Sequence, residues 1–153
     1  MTSLKLKVPP VLVALIFALL MWLTERVLPT VQIASHIRWI GIVGLLVAGA
    51  FYPLAAVFSF KKAQTTLNPL NPDACSSLVT SGVFKHSRNP MYLGLLFLLI
   101  AWGLFLSSAF ATVFAAGFLL YMNRFQIRPE ERALRSLYGQ VYSDYMKKVR
   151  RWL

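Results

Sequence analysis

Charge-free apolar runs divide the chain before anything else does. One runs from Val8 to Thr24, after Lys5 and Lys7 and before Glu25-Arg26; a second runs from Trp39 to Phe60 and is closed by Lys61 and Lys62. A third, from Asn89 to Asn123, contains no charged residue. Runs of this length and composition predict membrane-spanning helices. A single helix through the third run would be roughly 50 Å long, against about 30 Å of bilayer hydrocarbon. Two short helices fit better, Pro90 to Leu106 and Ala109 to Met122, turning near Ser107-Ser108 as a tight hairpin. The pattern predicts an all-α integral membrane protein with four transmembrane helices in one domain over residues 1–153. Residues 1–60 hold the first two spans and 61–153 the rest.

Two stretches break the pattern. Asn68-Pro69-Leu70-Asn71-Pro72 cannot be helical throughout, because each proline lacks a donor and restricts its predecessor. Beyond the hairpin, Pro129 suits a first helical turn, with Glu130 and Glu131 where carboxylates favour the helix dipole. Leu134, Leu137, Tyr138, Val141, Tyr142, Tyr145 and Val149 then recur at helical spacing, with Arg132, Arg135, Gln140, Asp144, Lys147 and Lys148 opposite. This predicts an amphipathic C-terminal helix on the cytosolic membrane surface, or two short ones broken at Gly139.

Composition sharpens the membrane assignment. Apolar residues make up 58% of the chain and charged residues 14%, where soluble domains average about 45–50% and 25%. The first run resembles a signal peptide, but it is long and no small-residue cleavage site follows, so a retained span is expected. The net charge of +11 would suit nucleic acid, yet the basic residues flank apolar runs and no nucleic-acid motif is present. They suit topology and lipid headgroups instead. With four spans, all but Arg26 and Arg38 of the 16 basic residues fall on one side. Both termini are therefore expected in the cytosol, in a bacterial inner membrane or an ER-type membrane. Lys85 and Arg88, at the boundary of the third run, read as headgroup anchors.

One cysteine, Cys75, and two distant histidines, His36 and His86, give no metal site. Neither a G-x-G-x-x-G turn nor a phosphate-binding loop is present. Gly41, Gly44 and Gly49 lie inside a predicted span and read as helix-packing residues.

Two constellations carry the chemistry. Leu78-Val79-Thr80-Ser81-Gly82-Val83-Phe84 is followed by Arg88-Asn89-Pro90-Met91-Tyr92-Leu93-Gly94; after the hairpin comes Arg128-Pro129-Glu130-Glu131, then Leu134, Tyr138-Gly139, Tyr142 and Tyr145. Together and in this order, over residues 76 to 151, they resemble the isoprenylcysteine carboxyl methyltransferase family and its phospholipid methyltransferase relatives. Those proteins carry L-V-T-x-G-x-[YF], R-[HN]-P-x-Y-x-G and E-E-x-x-L-x-x-x-[FY]-G-x-x-Y-x-x-Y. Asn89 stands where eukaryotic members have His, and Phe84 where many have Tyr.

The resemblance implies an S-adenosylmethionine-dependent methyltransferase. Its cofactor site would fall on Ser76, Ser77, Leu78, Val79, Phe84, Asn89, Pro90, Met91 and Tyr92, with Glu130 or Glu131. Arg124 and Arg128, ahead of the glutamate pair, would take a catalytic role on the acceptor side, holding an acceptor's carboxylate. The acceptor would be lipophilic or lipidated and arrive from the bilayer. The residues suit this chemistry. A glutamate can pair with the cofactor's ammonium or ribose, and Phe84 and Tyr92 offer walls for adenine or the sulfonium. Methyl transfer is an in-line displacement that needs alignment and water exclusion more than a strong base. The rival readings are a membrane sensor or assembly protein that keeps the fold without catalysis, and a sterol-reductase-like enzyme using NADPH.

Overall fold

Proline opens three helices of the computed structural model, which describes residues 8–27, 34–63, 78–107 and 110–153. Pro10 begins α1 (Pro10–Glu25), Pro90 begins α3 (Pro90–Phe105), and Pro129 lies in the first turn of α5 (Arg128–Lys148). There the missing N–H has no intrahelical acceptor to lose and the fixed φ is already helical. Between them lie α2 (Ser35–Lys62) and α4 (Ala111–Tyr121).

Among the described residues there is no strand. α2, of 28 residues, is long and apolar enough to cross a membrane. α1 and α3 are equally apolar in character but have 16 residues each, so each is about 24 Å long against about 30 Å of hydrocarbon. The helices thus fall where the apolar runs lie, while among the described residues one of them alone meets the length of a full span. Their outer faces remain apolar: Ile40 and Leu54 on α2 are 72% and 68% exposed, a surface suited to lipid.

α2 packs along α3 through missing side chains. A Cβ on Gly94 would lie 2.5 Å from Pro53 Cγ and 2.8 Å from the Gly49 carbonyl oxygen, and one on Gly49 would lie 2.7 Å from Leu98 Cδ2. Gly41 also faces a neighbour, Leu104, but Gly44 meets nothing within 4 Å among the described residues and packs against none of them. α1, α3, α4 and the turn after α4 share a core of Val13, Ala14, Met21, Leu99, Phe118, Met122 and Ile127. Trp102 Nε1 donates to the Ala18 carbonyl at 3.1 Å across α1 and α3.

The expected hairpin joins α3 and α4. Ser107, two residues past the end of α3, lies in the left-handed region at φ 52°, and its hydroxyl accepts from Arg38 Nη1 at 2.6 Å. Ser108 lies outside the described residues.

The C-terminal helix does not begin afresh at Pro129. α4 runs through a π turn, Met122–Ile127, directly into α5. The break comes at Gly139, with φ 55° and ψ −123°. In a straight helix residues 135 and 146 would be roughly 16 Å apart, yet Arg135 Nη2 reaches Met146 Sδ at 3.7 Å. α5 therefore folds back on itself. An added Cβ at Gly139 would meet nothing within 4 Å, so Gly139→Ala tests the backbone alone. We expect a loss of about 1–3 kcal/mol, the usual cost of a strained φ/ψ pair, read as a lower unfolding temperature in detergent. Wild-type stability would mean that glycine is not what permits the fold-back.

Candidate functional site

The loop before α3 is shaped by one glycine and one proline. Gly82, at φ 61°, opens a short 3₁₀ turn, Gly82–Lys85, and a Cβ there would sit 2.6 Å from Ser59 Oγ on α2. The turn presents Phe84 edge-on to Phe60 at the end of α2, ring centres 5.2 Å apart. Tyr145 on α5 donates its hydroxyl to the Phe84 carbonyl at 2.7 Å. Asn89 then caps α3, its carbonyl accepting from Leu93 N at 3.0 Å.

Phe60, Phe84, Arg88, Asn89, Pro90, Met91, Tyr92 and Glu130 line a cleft of about 120 Å³. Six of the expected cofactor residues thus meet in one place, brought together by α2, the 3₁₀ turn, the start of α3 and the start of α5. Leu78, Val79 and Glu131 do not line it. Val79 is buried in a packing cluster with Ala56, Val83 and Phe84, and Leu78 is half-buried. Ser76 and Ser77 lie outside the described residues. Arg124 and Arg128 line a separate recess.

The adjacent glutamates have different surroundings. Glu130 lines the cleft and accepts from the Tyr92 hydroxyl at 3.1 Å. Burial pushes its carboxyl above the ordinary glutamate range, against the opposing pull of the Tyr92 hydrogen bond. Glu131 is engaged on both oxygens. Arg151 donates from Nε at 3.0 Å and from Nη2 at 2.7 Å, and Arg88 Nη1 stands 3.1 Å from Oε1. Burial, with Glu131 adding its charge, also pushes the nearby Tyr142 phenol up to about 12.

Arg88 is not the headgroup anchor expected from sequence. Its side chain is 11% exposed and turns inward. Among the described residues Nε and Nη1, both sealed from solvent, have no aligned hydrogen-bond partner. The cleft therefore carries an enclosed cation, turned to Glu131 through Nη1 and with Nε unbonded, beside the half-buried carboxyl of Glu130.

The last residues carry contacts that no motif announces. Arg88 N donates to the Arg150 carbonyl at 3.0 Å, Asn89 Nδ2 to the Arg151 carbonyl at 2.9 Å, and Trp152 Nε1 to Asn123 Oδ1 at 3.2 Å. Residues 150–152 form a strap across the loop that builds the cleft. In sequence Arg150 and Arg151 look like two more topology charges, and Phe60 looks like a span end. The position of Arg88 within R-N-P was the one available signal.

Residues 37–141 match the family model for phospholipid methyltransferases. The chain belongs to the phospholipid methyltransferase family. It is 30% identical over 140 residues to a probable protein-S-isoprenylcysteine O-methyltransferase of Oryza sativa subsp. indica, covering 89% of this chain and 71% of that one. Protein-S-isoprenylcysteine O-methyltransferase A of Arabidopsis thaliana is 30% identical over 142 residues, covering 89% and 69%. An uncharacterized protein of Haemophilus influenzae is 48% identical over 63 residues, its whole length and 41% of this chain. No solved structure matches. Family, relatives and apolar helices together make this chain a membrane methyltransferase.

Proposed function

We propose that the protein is an S-adenosylmethionine-dependent methyltransferase whose cofactor binds in the cleft between Phe84, Tyr92 and Glu130. The observation that carries this reading is the separation of the glutamate pair: Glu131 is neutralised by Arg88 and Arg151, while Glu130 faces the cleft and accepts from the Tyr92 hydroxyl.

The donor set fits the cofactor. The half-buried carboxyl of Glu130 suits the ammonium group, and Arg88 Nε, sealed from solvent and not turned to Glu131, suits the carboxylate at the same end. The Phe60–Phe84 edge pair supplies an apolar wall. At about 120 Å³ the cleft matches one end of the cofactor; whole drug-sized pockets run to roughly 300–1,000 Å³. When bound, S-adenosylmethionine supplies a methyl group on a sulfonium centre. The chain's own work is to orient, to neutralise and to exclude water. The acceptor on this reading is lipophilic and reaches the cleft from the bilayer. Arg124 and Arg128 take no part in cofactor binding, since they do not line the cleft.

Titration of the detergent-solubilised protein with S-adenosylmethionine, and separately with NADPH, tests the reading. Glu130→Gln and Tyr92→Ala should each weaken S-adenosylmethionine binding at least tenfold, about 1.4 kcal/mol, within the range for a charged hydrogen bond. Unchanged affinity in both variants, or saturable binding of NADPH instead, would overturn it. The reading also sets a pH dependence. Because burial raises the Glu130 pKa, the carboxyl favours the folded apo state below the ordinary glutamate value, and that contribution is lost as pH rises through the raised one. A cationic ligand needs the ionised form, so affinity should rise over the same interval, and Glu130→Gln should flatten the profile.

The reading extends to topology, with four spans and both termini cytosolic, the shorter helices accommodated by local bilayer thinning. A cysteine introduced near position 30 should then label from outside intact cells, and one near position 140 only after permeabilisation. Outside labelling near position 140 would overturn the even number of spans.

A further inference from the structure

Arg124, Arg128, Arg132 and Arg135 line a recess of about 470 Å³ together with Glu131. Their spacing puts the four guanidinium groups on one face of the π turn and α5. All four residues are exposed. Among the described residues no carboxylate pairs with Arg124, Arg128 or Arg132, and Arg135 donates to the Met146 sulfur at 3.7 Å. The one carboxylate in the lining, Glu131, already has both oxygens bonded by Arg151 and one approached by Arg88. Like charges at this spacing repel, and nothing in the described lining offsets them. An anion would balance this face.

Its chemistry follows from number and place. A planar guanidinium fork matches phosphate oxygens two at a time. Four forks along roughly 16 Å of helix exceed what one carboxylate or one phosphate can engage, and suit two phosphates. The recess starts three residues beyond the end of α4, whose Val113 and Leu120 are 63% and 67% exposed. It therefore opens where an apolar, lipid-suited helix gives way to a polar one. We propose that this recess binds the headgroup of an anionic lipid carrying two phosphate groups, and that this contact docks the folded-back α5 on the bilayer surface. The recess and the cofactor cleft have no lining residue in common, so the proposal stands apart from the cofactor reading.

The test uses the purified full chain in uncharged detergent, titrated with cardiolipin, with phosphatidylglycerol at matched total charge, with oleate and with soluble pyrophosphate. Cardiolipin should bind saturably, one per chain, at least tenfold more tightly than any of the other three. An Arg128→Ala/Arg132→Ala double variant should lose at least tenfold in cardiolipin affinity while keeping its unfolding temperature and its S-adenosylmethionine affinity. If that variant does not fold, Arg132→Gln alone should lose at least threefold. Phosphatidylglycerol equal to cardiolipin would reduce the recess to a general positive field and overturn the proposal. Oleate equal to cardiolipin would return the arginines to an acceptor carboxylate. Pyrophosphate binding as tightly would make the ligand a soluble phosphate. Wild-type cardiolipin affinity in a folded variant would place the lipid elsewhere.

Discussion

Replacing Glu131 by alanine should cost about 3–5 kcal/mol of stability, the range for removing one partner of a buried ion pair. The variant would leave Arg88 and Arg151 without their carboxylate, and Arg88 is almost wholly enclosed, with side-chain exposure of 11%. Part of the effect is softened by solvent at Arg151, whose side chain is 32% exposed. Thermal unfolding in detergent reads the loss directly. The neighbouring substitution gives the contrast: Glu130→Gln should leave stability near wild type while cofactor binding falls. If the two variants exchanged phenotypes, the assignment of Glu130 to the cleft and Glu131 to the clamp would be reversed.

Gly94→Leu should be at least as damaging. Even a single added carbon would stand 2.5 Å from the Pro53 ring and 2.8 Å from the backbone oxygen of Gly49, distances at which something must move. Neither obstacle is a flexible side-chain end. α2 and α3 must separate, and α3 begins with the residues that line the cleft. Overpacking typically costs about 1–3 kcal/mol, with larger values when backbone is displaced; Gly94→Ala should fall within that range and Gly94→Leu above it. Cofactor affinity should fall with stability in both variants. A stable Gly94→Leu protein would show that the two helices are not held at this distance.

Much of the architecture was legible because apolar periodicity and proline position are local signals. Pro90, the hairpin at Ser107 and the break at Gly139 each follow from chemistry within a few residues. The π turn at Met122–Ile127 was not, since a shifted hydrogen-bond pattern leaves no trace in composition. The glutamates were indistinguishable for another reason: both suit a first helical turn, and only their positions, about 100° apart around the axis, send one to the cleft and the other to Arg88 and Arg151. Gly44 shows the converse limit, a glycine in a span with no neighbour to accommodate. The strap of residues 150–152 depends on contacts as much as 62 residues apart in the chain, which no periodicity encodes.

That strap sets an order of events during synthesis. Residues 150–152 are made after every group they bind, so Asn89, Asn123 and Glu131 are all synthesised before their partners exist. Until then Glu131 has Arg88 alone for a counter-charge, and the loop entering α3 lacks its bonds to the Arg150 and Arg151 carbonyls. The clamp on Glu131 and the strap under the entry to α3 can therefore close only once the rest of the chain has been made.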